Sequence, residues 1–288
     1  MQVDSFFSKG IGHKICEDYT MHGIVCNKPY IIICDGCSGS NETDFGARLL
    51  ARAAKNAMTK ILIYFDNYWL LSDNYKVVID MLEEEIKSNL KKMLEATYSS
   101  ISVIDATLLM AFSMDDKVYV YTRGDGTLSY KLKNENVNIK TINFPSNTPF
   151  YLSYDLDKTK LESYQKMENN QKEIISSEIS TNGEIIQTSV NTLDFNNKIF
   201  YTFPIDKIEF ISLMSDGVSA FQYNAKWDKE KDNNKISTNS IVKEMISYKN
   251  YAGEFVNRRM NRVLKDLEKE GIENFDDISS ATIYLKEN

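Results

Sequence analysis

At 288 residues the chain is long enough for one large domain or two modest ones, and 42% hydrophobic residues supply a sizeable core. A net charge of −7 and a pI near 5.1 exclude the broad basic face of a nucleic-acid binder. No stretch approaches the roughly 18 apolar residues of a membrane span, and the first ten residues, MQVDSFFSKG, lack a signal peptide's basic start and apolar core, so the expected location is the cytoplasm.

Strand-like segments open the chain at residues 3–7, 19–26 and 30–34. After a polar turn over 38–43, residues 44–65 place Leu49, Leu50, Ala53, Ala54, Ala57 and Ile61 on one helical face. Arg48, Arg52, Lys55 and Lys60 fall mostly off that face and read as solvated. A second helix is expected over 76–95 through Val78, Ile79, Leu82, Ile86, Leu90 and Leu94, with Ser72, Asp73 and Asn74 offering capping side chains. The period then changes. Residues 101–112, 117–122, 127–132 and 137–144 read as successive antiparallel strands with polar turns between them. Residues 145–205 are ambiguous: two prolines and a Lys/Glu/Asn/Gln-rich tract suit a surface excursion or flap, or a helix followed by a hairpin. A strand over 209–214, a polar loop over 227–235, helices over 240–247 and 251–270 stopped by Gly271, and a closing strand over 281–285 complete the reading. No internal repeat is present, and the chain is expected to be a single domain over 1–288.

Several of these strands end or begin on a carboxylate. Ile31, Ile32, Ile33 and Cys34 run into Asp35-Gly36; the strand near Phe210 runs into Asp216-Gly217; a third leads to Asp125-Gly126. Asp276 and Asp277 precede the last strand, and Glu17 and Asp18 stand before the second. An Asp-Gly at a strand end supplies a rigid acid and an exposed carbonyl, which suits a hard cation. It also suits a plain turn. Recurrence favours the cation, because like charges brought together are costly unless cations or protons neutralise them.

Taken in order, Cys16-Glu17-Asp18-Tyr19, Asp35-Gly36-Cys37-Ser38-Gly39, Asp105-Ala106-Thr107, Gly124-Asp125-Gly126, Ser215-Asp216-Gly217 and Asp276-Asp277-Ile278-Ser279 resemble the motif series of the metal-dependent Ser/Thr protein phosphatases, the PP2C-like family. The match covers nearly the whole chain and most resembles a divergent bacterial or phage-type branch. The resemblance implies an α+β fold, a four-layer α/β/β/α sandwich of two mainly antiparallel sheets flanked by helices, with metals at one end. It implies a phosphorylated protein as partner and Mg²⁺ or Mn²⁺ as cofactor, two ions and a weaker third. Two ions about 4 Å apart activate a bridging water and clamp the phosphoryl group. Carried over, Asp35 is the bridging ligand; Asp216 and Asp276 complete one ion's shell; Glu17 and the Gly36 carbonyl complete the other; Asp125 resembles a ligand of the third. Asp18 is expected to orient metal-bound waters, and Asp277 to be a turn or cap residue.

Two departures stand out. The family's phosphate-holding Arg, four residues before the motif Glu, is His13 here, and a His that some members carry after Asp-Gly is Cys37. Candidate replacement cations are His13 itself, Arg123, Arg258 and Arg259. The missing Arg keeps open a pseudophosphatase that binds without turnover, and a small-molecule phosphoesterase is the other alternative. All four cysteines, Cys16, Cys26, Cys34 and Cys37, lie in the first 37 residues with His13 and His22 nearby, which raises a zinc or redox site. The spacing is poor for zinc, and buried free thiols in a reducing compartment are the expectation.

Overall fold

β1 (Gln2–Ser8), β2 (Asp18–Val25) and β3 (Lys28–Asp35) form close to where the apolar runs place them. The structure, a computed structural model, describes residues 1–65, 75–168, 170–224 and 235–285. The expected cap at 72–74 and nearly all of the expected loop at 227–235 lie outside the described residues.

β3 is an unbroken apolar run because both of its faces are covered. Ile31 and Ile33 pack between the two sheets, whereas Ile32 and Cys34 pack under two helices. Those helices are α1 (Thr43–Phe65) and α2 (Tyr75–Thr97). The small Ala53, Ala54 and Ala57 of α1 and the larger Val78, Leu82, Ile86 and Leu90 of α2 fill one core against Met110 and Phe112. Each fully buried Leu or Ile there contributes about 1.5–3 kcal/mol.

β4 (Leu108–Met114), β5 (Lys117–Arg123), β6 (Gly126–Leu132) and β7 (Val137–Asn143) form the expected meander. The first of these starts late: residues 101–104 make a 3₁₀ turn that buries Val103 and Ile104, and Asp105–Thr107 then run to the strand. Residues 145–205 are neither one excursion nor one flap, and follow the other alternative, a helix and then a hairpin, with further elements on either side. They contain a 3₁₀ turn at Leu152–Asp155, α3 (Lys158–Gln165), a hairpin of β8 (Lys172–Ile179) and β9 (Ile185–Leu193), and β10 (Ile199–Pro204). Asp157 caps α3 by accepting from the backbone N–H groups of Thr159 and Lys160. The hairpin extends one sheet and β10 extends the other. β9 is an exposed edge strand, so its sequence lacks the alternation that burial imposes.

β11 (Ile208–Met214), the short pair β12 (Phe221–Tyr223) and β13 (Ile272–Asn274), and β14 (Ile278–Tyr284) supply the remaining strands. Every pairing is antiparallel, in a seven-stranded sheet ordered β1-β14-β11-β6-β7-β8-β9 and a five-stranded sheet ordered β10-β5-β4-β3-β2. The sheets meet through Ile31, Leu109, Val120, Leu213, Ala281 and Ile283. α4 (Thr238–Met245) and α5 (Phe255–Lys269) cover the outer face of the larger sheet through Val242, Met245, Phe255, Val256 and Met260. The layer order is therefore helix, sheet, sheet, helix. Asp4 of β1 fixes the start of α5 by accepting from the Val256 and Asn257 N–H groups at 2.6 and 3.0 Å. Among the described residues no helix is long and apolar enough to cross a membrane.

Candidate active site

Antiparallel register carries the scattered acids to one end of the sandwich. Asp18 at the start of β2 pairs directly with Asp35 at the end of β3. In the other sheet Met214, the last residue of β11, lies between Thr127 of β6 and Ser280 of β14. Asp216 follows β11, Asp125 precedes β6 and Asp276 precedes β14, so all three leave the sheet at the same edge.

Backbone contacts lock the turns. Thr107 N–H donates to the Asp35 carbonyl at 2.8 Å, while Thr107 Oγ1 accepts from Asp35 N–H at 3.2 Å. Gly36 N–H donates to the Glu17 carbonyl at 3.2 Å. A Cβ on Gly36 would lie 2.8 Å from both Cβ and the carbonyl oxygen of Thr43, so only glycine allows α1 to start this close. Gly124 adopts a φ of +92°, which turns the chain into Asp125.

The result is a polar cavity of about 190 Å³ whose walls carry Asp35, Asp125, Asp216, Asp276, His13 and the Gly36 backbone. Burial, followed by the charges of Asp18 and Asp216, holds the Asp35 carboxyl well above the usual range. Burial and then Asp216 do the same to Asp125 and raise Asp276. Asp18 is buried and pushed up to about 7, mainly by loss of water, despite accepting a 2.7 Å hydrogen bond from Ser215 Oγ. Its Oδ1 is buried with no donor. Converging hard oxygens with too little positive charge among them fit divalent cations such as Mg²⁺ or Mn²⁺, whose charge would reverse these shifts.

Glu17 stands apart from the other expected ligands. Its carboxylate does not line the cavity; Oε1 accepts from Thr43 Oγ1 and Oε2 lies 3.5 Å from His13 Nδ1. Asp277 is more than a turn residue. Its side chain is 1% exposed and accepts from Gly10 N–H at 2.8 Å, Glu17 N–H at 2.6 Å and His13 Nδ1 at 3.1 Å. It ties the loop after β1 to the start of β14, a role that adjacent acids in a sequence do not reveal.

The expected arginines are elsewhere. Arg123 turns into the core and pairs with Glu83 and Asp155 at 3.2 and 2.6 Å, because its alternation in β5 points it at the helices. Arg258 and Arg259 lie on α5, whose apolar face holds them away from the cavity. Arg258 bonds to Asn250 Oδ1 and the Ala252 carbonyl, and Arg259 pairs with Glu244 at 2.8 Å. The cysteines are all free, and alternation sends Cys34 under the helices while Cys37 faces the cavity. Among the described residues, the group whose metal-ligating atoms converge is His13, Glu17 and Asp277, without a cysteine. The zinc alternative thus finds no cysteine cluster among the described residues; the thiols are free as expected, but only Cys34 is buried and Cys26 is exposed.

Two features went unread in the sequence, one of them within the Asp105-Ala106-Thr107 block. Asn147, Pro149 and Tyr151 form part of the cavity wall, brought there by the ambiguous segment. Asp105 accepts from Ser40, Ser153 and Lys160 at 2.6–2.8 Å, and so fastens that segment beside the Asp35 turn.

A family model described as protein phosphatase 2C matches residues 11–268. No curated protein matches the chain. Among solved structures, the serine/threonine phosphatase Stp1 from Staphylococcus aureus is 12% identical with a TM-score of 0.53, over 100% of this chain and 96% of that one. The S. agalactiae serine/threonine phosphatase is 12% identical with a TM-score of 0.54, over 99% of each chain. Serine-threonine phosphatase 2C from Toxoplasma gondii is 14% identical with a TM-score of 0.53, over 99% and 94%. These likenesses establish the fold, and the family match spans most of the sequence. The chain belongs to the protein phosphatase 2C family.

Proposed function

We propose that this chain is a metal-dependent phosphatase acting on phosphoserine and phosphothreonine in proteins, and that residues 1–288 work as one domain. The convergence of Asp35, Asp125, Asp216 and Asp276 on one cavity beside the Gly36 carbonyl carries the proposal. These groups would hold Mg²⁺ or Mn²⁺, with Asp35 at the centre of the set and Glu17 reaching it by turning from Thr43. Bound there, such ions would supply an activated water and neutralise phosphoryl oxygens. The chain's own contribution is to hold four carboxylates against their mutual repulsion and to keep Asp18, backed by Ser215, beside Asp35. Asn147 and Tyr151 border the same space and would contact a phosphorylated side chain bound there. The free cysteines suit a reducing, cytoplasmic setting.

The test is phosphate release from phosphoserine, phosphothreonine and phosphotyrosine peptides with and without Mn²⁺. Release from the first two that needs metal and vanishes in Asp35→Asn is expected. Release independent of metal, or unchanged in Asp35→Asn, refutes the reading.

A further inference from the structure

His13 occupies the wall of the cavity with one ring nitrogen toward each of two adjacent acids, and Glu17 Oε2 lies 3.5 Å from the nitrogen that faces Asp277. Its Nδ1 is 3.1 Å from Asp277 Oδ2, and its Nε2 is 3.2 Å from Asp276 Oδ1. Asp277 already accepts backbone N–H groups on both of its oxygens, so it faces the ring as an acceptor and Nδ1 must donate. That contact orients the ring and leaves the Nε2 lone pair beside Asp276 Oδ1, close to it but not aligned with it as in a hydrogen bond. A carboxylate behind the far nitrogen is the arrangement that fixes the tautomer and raises basicity in metal-ligating histidines.

A lone pair and a carboxylate oxygen 3.2 Å apart repel unless a cation lies between them. The spacing fits neighbouring corners of a coordination sphere, where ligands at about 2.1–2.2 Å and right angles are separated by about 3 Å. Asp276 belongs to the same cavity as Asp35, Asp125 and Asp216, so further oxygen donors are at hand.

We propose that His13 Nε2 and Asp276 Oδ1 hold one divalent ion together, giving this centre a nitrogen ligand that selects Mn²⁺ or another transition metal over Mg²⁺. This rests on the metal-dependent reading above. Imidazole suits transition metals, whereas Mg²⁺ keeps oxygen ligands and water. His13 then serves the metal and does not anchor the substrate phosphate. The competing occupant of the gap is a proton, giving a simple His–Asp ion pair.

Pulsed electron paramagnetic resonance of the full chain loaded with one equivalent of Mn²⁺ tests this directly. The wild type should show ¹⁴N modulation from a coordinated imidazole. His13→Gln should lose it, and its preference for Mn²⁺ over Mg²⁺ in calorimetric titration should fall about tenfold. The wild-type spectrum decides even if that variant does not fold. Bound Mn²⁺ without ¹⁴N modulation overturns the nitrogen ligand and leaves the metal-dependent reading intact. Failure of the wild type to bind Mn²⁺ at all overturns both.

Discussion

Replacing Arg123 separates a structural role from the phosphate-holding role that its position before Gly124-Asp125-Gly126 suggests. Its guanidinium is 5% exposed and donates to Glu83 at 3.2 Å, Asp155 at 2.6 Å and Tyr121 Oη at 3.2 Å. Tyr121 in turn donates to Glu83 at 2.6 Å, and Glu83 is 3% exposed. One cation thus ties α2, β5 and the turn at Leu152–Asp155 together. Arg123→Met removes it and leaves Glu83 with Tyr121, Lys198 at 3.3 Å and Lys87 at 3.8 Å, so the cost should sit near the lower end of the about 3–5 kcal/mol of an uncompensated buried charge. With an unfolding entropy of about 2.1 cal/mol/K per residue, 288 residues give roughly 0.6 kcal/mol/K. The melting temperature should therefore fall by about 5 °C in scanning calorimetry. Adding Glu83→Gln should return little of the loss, because in the single variant Lys198 still faces that carboxylate. KM for a phosphopeptide, measured well below the melting temperature, should stay within about twofold. A variant that melts within a degree of wild type, or one that folds normally with KM raised tenfold, would refute the structural role.

Chelation should lower the melting temperature, since each ion present at 100 times its dissociation constant adds roughly 2.7 kcal/mol, or about 4–5 °C on the same scale. Scanning fluorimetry with EDTA and then excess Mn²⁺ checks this; indifference to both would count against the metal centre. Asp216→Asn and Asp276→Asn should each abolish turnover, whereas Asp125→Asn should mainly slow it, as steady-state kinetics at saturating Mn²⁺ will show. Burial, then the Arg123 charge, pulls Lys172 down from 10.5 to about 7. The unfolded chain holds that proton up to its higher pKa, so stability should rise with pH from about 7 toward 10.5. Between pH 6 and 9 wild type should therefore gain roughly 2–3 kcal/mol of stability relative to Lys172→Met, which has no ammonium to titrate. A difference that does not change with pH would show that the ammonium is not penalised.

Much of this protein was legible in its sequence alone. Continuous apolar runs marked strands covered on both faces, as in β3, and one-sided spacing marked α1 and α2. The order of acids at strand ends marked the cavity, and Asp35, Asp125, Asp216 and Asp276 do converge there. These readings work because burial imposes a period on the chain, and because acids recurring at several strand ends are costly to bring together unless a cation or proton neutralises them.

What only the tertiary structure decided involves partners far apart in sequence. Whether Arg123 faces a substrate or the core depends on Glu83 and Asp155, which no local pattern links to it. The fate of Arg258 and Arg259 follows from which side of α5 meets the sheet. Asp277 looks like a spare neighbour of Asp276 until the loop after β1 closes over it and donates two N–H groups. Residues 145–205 stayed ambiguous because β9 is an exposed edge held by backbone hydrogen bonds, which leave no hydrophobic period to read. Backbone pairing and side-chain charge contacts draw on partners far apart in the chain, which are fixed only once the sheets have closed on each other.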